Sequence, residues 1–179
     1  MPRYIRPRQP GATIFFTVNL ARPGASLLVD EIAALRAAVR HAMLDRPFRI
    51  DAWVVLPDHL HAIWTLPPDD SDYPTRWRAI KARFTRLTDA QGRCSPSQRA
   101  KGEKGVWQRR YWEHHIRDTT DLQAHLHYCW QDPVRHGLCA HPAEWQYTSL
   151  HRDRALAGCL SPPPPAPRLA GERAALAPA

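Results

Sequence analysis

The chain reads as an α+β domain: an antiparallel four-stranded sheet with helices on one face, in the ferredoxin-like split βαβ order, followed by a further helix and a tail. Three observations predict it. Stretches rich in β-branched and aromatic residues alternate with stretches whose apolar residues recur at helical spacing, in the order β-α-β-β-α-β-α, and the first six match that arrangement. Pro57-Asp58 supplies a tight turn between two adjoining strand-like runs, so these two return on each other. From Gly158 onward the chain becomes GCLSPPPPAPRLAGERAALAPA, rich in Pro and Ala without apolar periodicity, a composition that does not build a core. The expected division is a basic arm over 1–11, one folded domain over 12–157 and a disordered tail over 158–179. That leaves a folded part of an ordinary single-domain size.

Residues 12–20 (ATIFFTVNL) have strand composition, and Pro23-Gly24 break the run. Leu28, Ile32, Leu35, Val39 and Met43 then repeat at helical spacing among alanines, predicting an amphipathic helix over 27–44. Residues 48–56 (FRIDAWVVL) and 59–66 are the two strands of the hairpin, closed by Pro67-Pro68. Trp77, Ile80, Phe84 and Leu87 share one face of a helix over 74–88, with arginines elsewhere around it. A polar loop over 89–105 leads to a fourth strand over 107–116. The last helix, 120–132, opens on the capping-type residues Asp118, Thr119 and Thr120 and is expected to end near Pro133. Trp53, Trp145 and Tyr147 read as packing residues.

The net charge is +8, and its location says more than its size. Between Arg76 and Arg117 stand twelve Lys/Arg against three acids, and Arg3, Arg6 and Arg8 add a basic arm with no acid beside it. Concentrated positive charge favours a polyanion. Interleaved aromatics (Trp77, Phe84, Trp107, Tyr111, Trp112) favour nucleic acid, because stacking platforms beside phosphate-binding groups hold single strands. The candidate DNA contacts are Arg3, Arg6, Arg8, Arg78, Arg83, Arg86, Lys101, Lys104, Arg109 and Arg110. The four cysteines have no CxxC spacing, which argues against a disulfide framework or a cysteine zinc site and fits a reducing cytoplasm. No signal peptide or membrane-spanning apolar run is present, and no membrane partner is expected. A P-loop and a GxSxG elbow are both missing, so nucleotide-driven and serine-hydrolase chemistry have no support.

The third strand begins His59-Leu60-His61. Successive strand side chains alternate between faces, so both imidazoles project on one side while Leu60, Ala62, Trp64 and Leu66 project on the other. Imidazole is a common neutral metal ligand, although two partly exposed strand histidines fit the same spacing. On the last helix Leu122, Leu126, Cys129 and Trp130 share the face expected to pack, and Asp121, His125, Tyr128 and Asp132 share another. Tyr128 and Asp132 stand at i,i+4 and are neighbours. A tyrosine among metal-capable groups points to a reactive phenol, while an amphipathic tyrosine at a helix edge is the structural alternative. Together these residues fit phosphoryl transfer at DNA. A divalent cation, Mg²⁺ or Mn²⁺, bound by His59, His61 and Asp132 would stabilise charge on the phosphate, and Tyr128 would attack it to leave a covalent phosphotyrosine and a free 3′-hydroxyl. His114, His115, His125 and His127 have no spacing that singles one out and read as DNA- or solvent-contacting groups.

Several blocks in order, PGATIFFTVNL, PDHLHAIW, KGEKGVWQRRYWEHHIRD, YCWQDPVRHGL and PAEWQYTSLHR, resemble the REP-associated tyrosine transposases, relatives of the single-tyrosine HUH transposases of bacterial insertion sequences. The resemblance covers most of residues 3–151. It implies the ferredoxin-like fold, metal-binding histidines at His59 and His61, and a nucleophile at Tyr128. Four residues after the nucleophile such relatives carry Asn or Gln; here the residue is Asp132, a competent ligand for a hard cation. The resemblance also implies a partner: repetitive extragenic palindromes (REP), single-stranded hairpins with a short conserved tetranucleotide at the foot, suited to the arm of Arg3, Arg6 and Arg8. Cleavage and rejoining of such elements by a cytoplasmic, nucleoid-associated monomer or homodimer is the expectation. Two other classes stay open: a hairpin-binding protein without cleavage, and a metal-dependent nuclease that forms no covalent intermediate.

Overall fold

The computed structural model describes residues 7–152. Strands β1 (Thr13–Asn19), β2 (Arg49–Val55), β3 (His59–Thr65) and β4 (Trp112–His115) form one sheet in the order β2-β3-β1-β4. Every neighbouring pair is antiparallel, which is the split βαβ arrangement expected. The hairpin register aligns Val55 with Leu60, and on the other side of β3 Thr17 of β1 faces His61 and Asn19 faces His59.

Strand alternation divides the sheet into two cores. Ile14, Phe16, Val18, Leu60, Ala62 and Trp64 face α2 (Ile32–Asp45) and α3 (Tyr73–Thr88), and Trp64 stacks on Trp77 of α3 with ring centroids 4.3 Å apart. On the opposite face Phe15, Val54 and Ile63 meet Tyr128, Cys129 and Trp130 of α5 (Thr119–Arg135), with Leu150 closing the cluster. Trp53 and Tyr147 pack beside the first core and Trp145 beside the second.

Four boundaries differ from the sequence expectation. The first helical stretch breaks at Glu31 into α1 (Leu27–Asp30) and α2. The polar loop holds a short α4 (Pro96–Ala100), opened by a capping box between Ser95 and Gln98. The fourth strand pairs only over Trp112–His115, and Trp107 reaches the end of β1 through a single bridge to Leu20. Most consequentially, α5 does not stop before Pro133 but continues to Arg135. The stop is a Schellman turn: Gly137 takes φ +66°, its N–H donates to the Val134 carbonyl, and the Leu138 N–H donates to the Pro133 carbonyl. Among the described residues no helix is long and apolar enough to cross a membrane.

Candidate active site

The face of α5 that meets the sheet is largely polar. Leu122, Leu126, Cys129 and Trp130 pack in the second core as expected, the two leucines only partly buried, but Asp121, His125, Tyr128 and Asp132 are buried beside them, so the packed face is wider than its apolar residues suggest. Burial of two carboxylates is tolerable because each is engaged by cations or hydrogen-bond donors.

The first carboxylate anchors the start of the helix. One Asp121 oxygen lies 2.8 Å from His114 Nε2 and accepts from Arg117 N–H and Nε–H, both at 3.0 Å. His125 Nδ1 donates to the Asp121 carbonyl at 2.8 Å, and its ring stacks on His114 with centroids 4.6 Å apart. His114, partly exposed, and His125 join α5 to β4, and His125 is buried rather than meeting solvent as its unremarkable spacing suggests. His114, Asp121 and His125 are close enough to share a metal, but the Asp121 oxygen already accepts from two Arg117 donors, which sets it apart from Asp132.

The second carboxylate gathers the strand histidines. Asp132 Oδ2 lies 3.0 Å from His61 Nε2 and 3.2 Å from His59 Nε2. Each imidazole is also gripped at its other nitrogen: His61 Nδ1 by the Thr17 hydroxyl at 2.9 Å, and His59 Nδ1 by an Asp58 oxygen at 2.7 Å. The second Asp58 oxygen accepts from the Gly24 N–H, which ties the hairpin turn to the segment after β1. Nδ1 held by an outer partner and Nε2 turned to a shared centre is the posture of metal-binding histidines. Both Nε2–Oδ2 distances also fit. Around an ion bound at about 2.1 Å, ligand atoms at right angles stand about 3.0 Å apart. Burial opposes charge on His59, but the carboxylates of Asp132 and Asp58 outweigh it and push the imidazole up to about 9. Burial likewise opposes ionisation of Asp132, yet hydrogen bonds from His59 and His61 hold it well below the usual carboxylate range.

Tyr128 lies one turn before Asp132. Its ring meets His61 edge-on at 5.2 Å between centroids, and the Arg135 guanidinium lies 4.6 Å from the ring centre. The histidine pair, the tyrosine and the aspartate are therefore assembled in one place. Asp58, Thr17, Arg135 and His136 also belong to it, and nothing in the sequence singles them out, because turn, strand and surface chemistry accounts for each of them locally.

The basic residues gather elsewhere. Arg8, Arg78, Arg86, Lys101, Lys104 and Arg109 line one cleft of about 1040 Å³ between α3 and the segment before β4; Arg83 and Arg110 do not line it. Lys81 sits in the same wall, its ammonium 5.6 Å from the Trp107 ring centre and 5.4 Å from that of Tyr111. Trp77 and Phe84 are core residues rather than stacking platforms, and Arg76 is buried with its guanidinium on the Arg46 and Pro47 carbonyls and Asp70. Arg3, Arg6 and the tail over 158–179 lie outside the described residues.

No protein-family model matches the chain. It is 43% identical over 155 residues to the REP-associated tyrosine transposase of Escherichia coli K12, spanning 87% of this chain and 86% of that protein. A Haemophilus influenzae relative, a putative REP-associated tyrosine transposase, is 40% identical over 154 residues, 86% of this chain and 88% of the relative. A solved structure of a REP-associated tyrosine transposase bound to a REP hairpin superposes with a TM-score of 0.75 at 43% identity, covering 88% of this chain and 87% of that one. With fold, order of elements and sequence in agreement over most of both chains, this protein belongs to the family of REP-associated tyrosine transposases.

Proposed function

We propose that the chain cuts and rejoins single-stranded DNA at REP-type hairpins through a 5′-phosphotyrosine on Tyr128, with Mg²⁺ or Mn²⁺ held by His59, His61 and Asp132. The observation that carries this reading is the convergence of two imidazole Nε2 atoms on Asp132 Oδ2, one helical turn from Tyr128. A divalent cation bound there supplies positive charge that stabilises the phosphate as negative charge develops on it. The Tyr128 oxygen attacks phosphorus; the P–O bond to the tyrosine forms as the bond to the upstream 3′-oxygen breaks. The phenol gives up its proton and the departing oxygen gains one, leaving a free 3′-hydroxyl upstream and a 5′-phosphotyrosine downstream. Reversal by another 3′-hydroxyl rejoins the strand without an external energy source. Arg135, already over the phenol ring, offers a cation beside the same phosphate.

The cleft supports a DNA path into this centre. Asn19 lies between the two: it pairs with His59 on one side, and its carbonyl accepts from the Gln108 N–H, in the cleft wall, on the other. The described end of the arm lies at this cleft: Tyr73 donates its hydroxyl to the Pro7 carbonyl and Arg8 lines the cleft.

The test is a denaturing gel of protein with a labelled REP-type hairpin strand and Mg²⁺ or Mn²⁺. A 3′-labelled strand is expected to shift to protein-sized mobility, whereas a 5′-labelled one shortens without shifting. Tyr128→Phe is expected to abolish both changes while binding the hairpin nearly as well. Cutting by the Phe variant, or the reverse label pattern, overturns the mechanism.

A further inference from the structure

Asp132 Oδ2 has a third imidazole near it. His136, one turn further along the chain, brings its Nε2 to 3.6 Å from that oxygen, and its ring lies 5.0 Å from the ring of His59 between centroids. Single donor atoms from His59, Asp132 and His136 all fall within 4.8 Å of one another. The other Asp132 oxygen faces Arg135 Nη1 at 3.9 Å, so the carboxylate presents one oxygen to the histidines. His136 owes its place to the end of α5. Its N–H donates to the Asp132 carbonyl, and the Schellman turn at Gly137 fixes the backbone immediately after it. Had the helix stopped at Pro133, this imidazole would lie off the helical face that Asp132 occupies.

We propose that His136 is a fourth ligand of the metal centre, making it a site of three imidazoles and one carboxylate, and that this donor set selects a first-row transition ion over Mg²⁺. The inference rests on the metal reading above and deepens it. Mg²⁺ prefers oxygen ligands and dehydrates reluctantly, whereas imidazole nitrogens favour transition ions, increasingly so toward Co²⁺ and Ni²⁺. Adding a nitrogen to a two-histidine, one-carboxylate set moves the preference that way. His136 is about half exposed, its side chain 44% accessible, so its imidazole has room to move toward the spacing of adjacent ligands. The same exposure makes its replacement harmless to the core.

The experiment is calorimetric titration of the full-length protein with Co²⁺, Mn²⁺ and Mg²⁺, together with the visible absorption of the Co²⁺ form, for the unaltered protein, His136→Ala, His59→Ala and the exposed-surface control His41→Ala. Thermal melts check that each variant is folded. His136→Ala is expected to lose tenfold or more in Co²⁺ affinity and to change the Co²⁺ spectrum, while Mg²⁺ affinity changes less than threefold; His41→Ala leaves all three unchanged. If the unaltered protein binds Co²⁺ and His59→Ala does not, yet His136→Ala keeps both affinity and spectrum, the fourth ligand is disproved and the metal centre stands. If the unaltered protein binds none of the three ions, or His59→Ala binds as the unaltered protein does, the metal reading itself fails and this inference with it.

Discussion

His59 is held from both sides, by Asp132 at Nε2 and by Asp58 at Nδ1, and the two carboxylates do different work. Asp132 faces the place where a cation would sit. Asp58 stands behind the ring, fixed by the Gly24 N–H, and sets which nitrogen is presented. Outer partners of this kind influence affinity without touching the metal. Asp58→Ala is therefore expected to lower divalent-ion affinity by about 10- to 100-fold, with the Tyr128 and Asp132 side chains unaltered; titration calorimetry reads it, and an affinity within twofold of the unaltered protein would remove Asp58 from the site. The histidine pair itself is legible in the sequence, because a strand period of two leaves little freedom in where His59 and His61 point. Asp58 is not. It follows a proline in a tight turn, and turn chemistry already accounts for an aspartate there.

The last helix carries most of what the sequence leaves hidden. Its start is legible: Asp118 accepts from the Asp121 N–H, as an N-cap should. Its end is obscured by Pro133, which reads as a stop, although a proline close to a C-terminus removes few helical hydrogen bonds and a glycine past the last turn is the stronger signal. Its buried face is obscured because apolar periodicity ranks leucine above aspartate, whereas partners on β3 and β4 satisfy Asp132 and Asp121. Such burial makes stability depend on pH. His125 is disfavoured as a cation by burial, and its pKa is lowered below that of the unfolded chain. As pH falls through about 6.5 the unfolded state takes up a proton that the folded state refuses, so the folded state loses ground. Burial opposes the Asp121 charge too, but hydrogen bonds from Arg117 and His114 outweigh it and hold the carboxyl below its ordinary range, so its contribution is present above that range and is lost in stronger acid. Hence the melting temperature of His125→Gln, measured relative to the unaltered protein, should rise as pH goes from 7 to 5, since only the histidine has a proton to refuse. A gap that stays constant over that interval would mean His125 is not held neutral.

At the scale of the whole molecule the sheet separates two kinds of work. Its α5 face carries the histidines, Tyr128 and Asp132, while the cleft of basic side chains opens between α3 and the segment leading into β4. The run of positive charge from Arg76 to Arg117 is visible in the sequence, but not its division. Arg76 turns inward to backbone carbonyls and Arg83 and Arg110 stay out of the cleft lining, while Arg8, distant in sequence, joins it. Only the packing of α3 against the later segment decides which charges add. None of His59, His61, Tyr128 and Asp132 lines the cleft, so binding of a strand there should be separable from chemistry. Removing the charges of Arg78, Lys101 and Lys104 together is expected to weaken binding of the hairpin strand and to flatten its salt dependence. For every phosphate no longer neutralised, the slope of log affinity against log salt should become shallower by about 0.7 on single-stranded DNA. Fluorescence anisotropy at several salt concentrations measures this, with melting temperature and divalent-ion affinity expected to stay as in the unaltered protein. Weaker binding with an unchanged slope would mean that these side chains shape the cleft rather than neutralise phosphates, and equally tight binding would place the DNA outside the cleft.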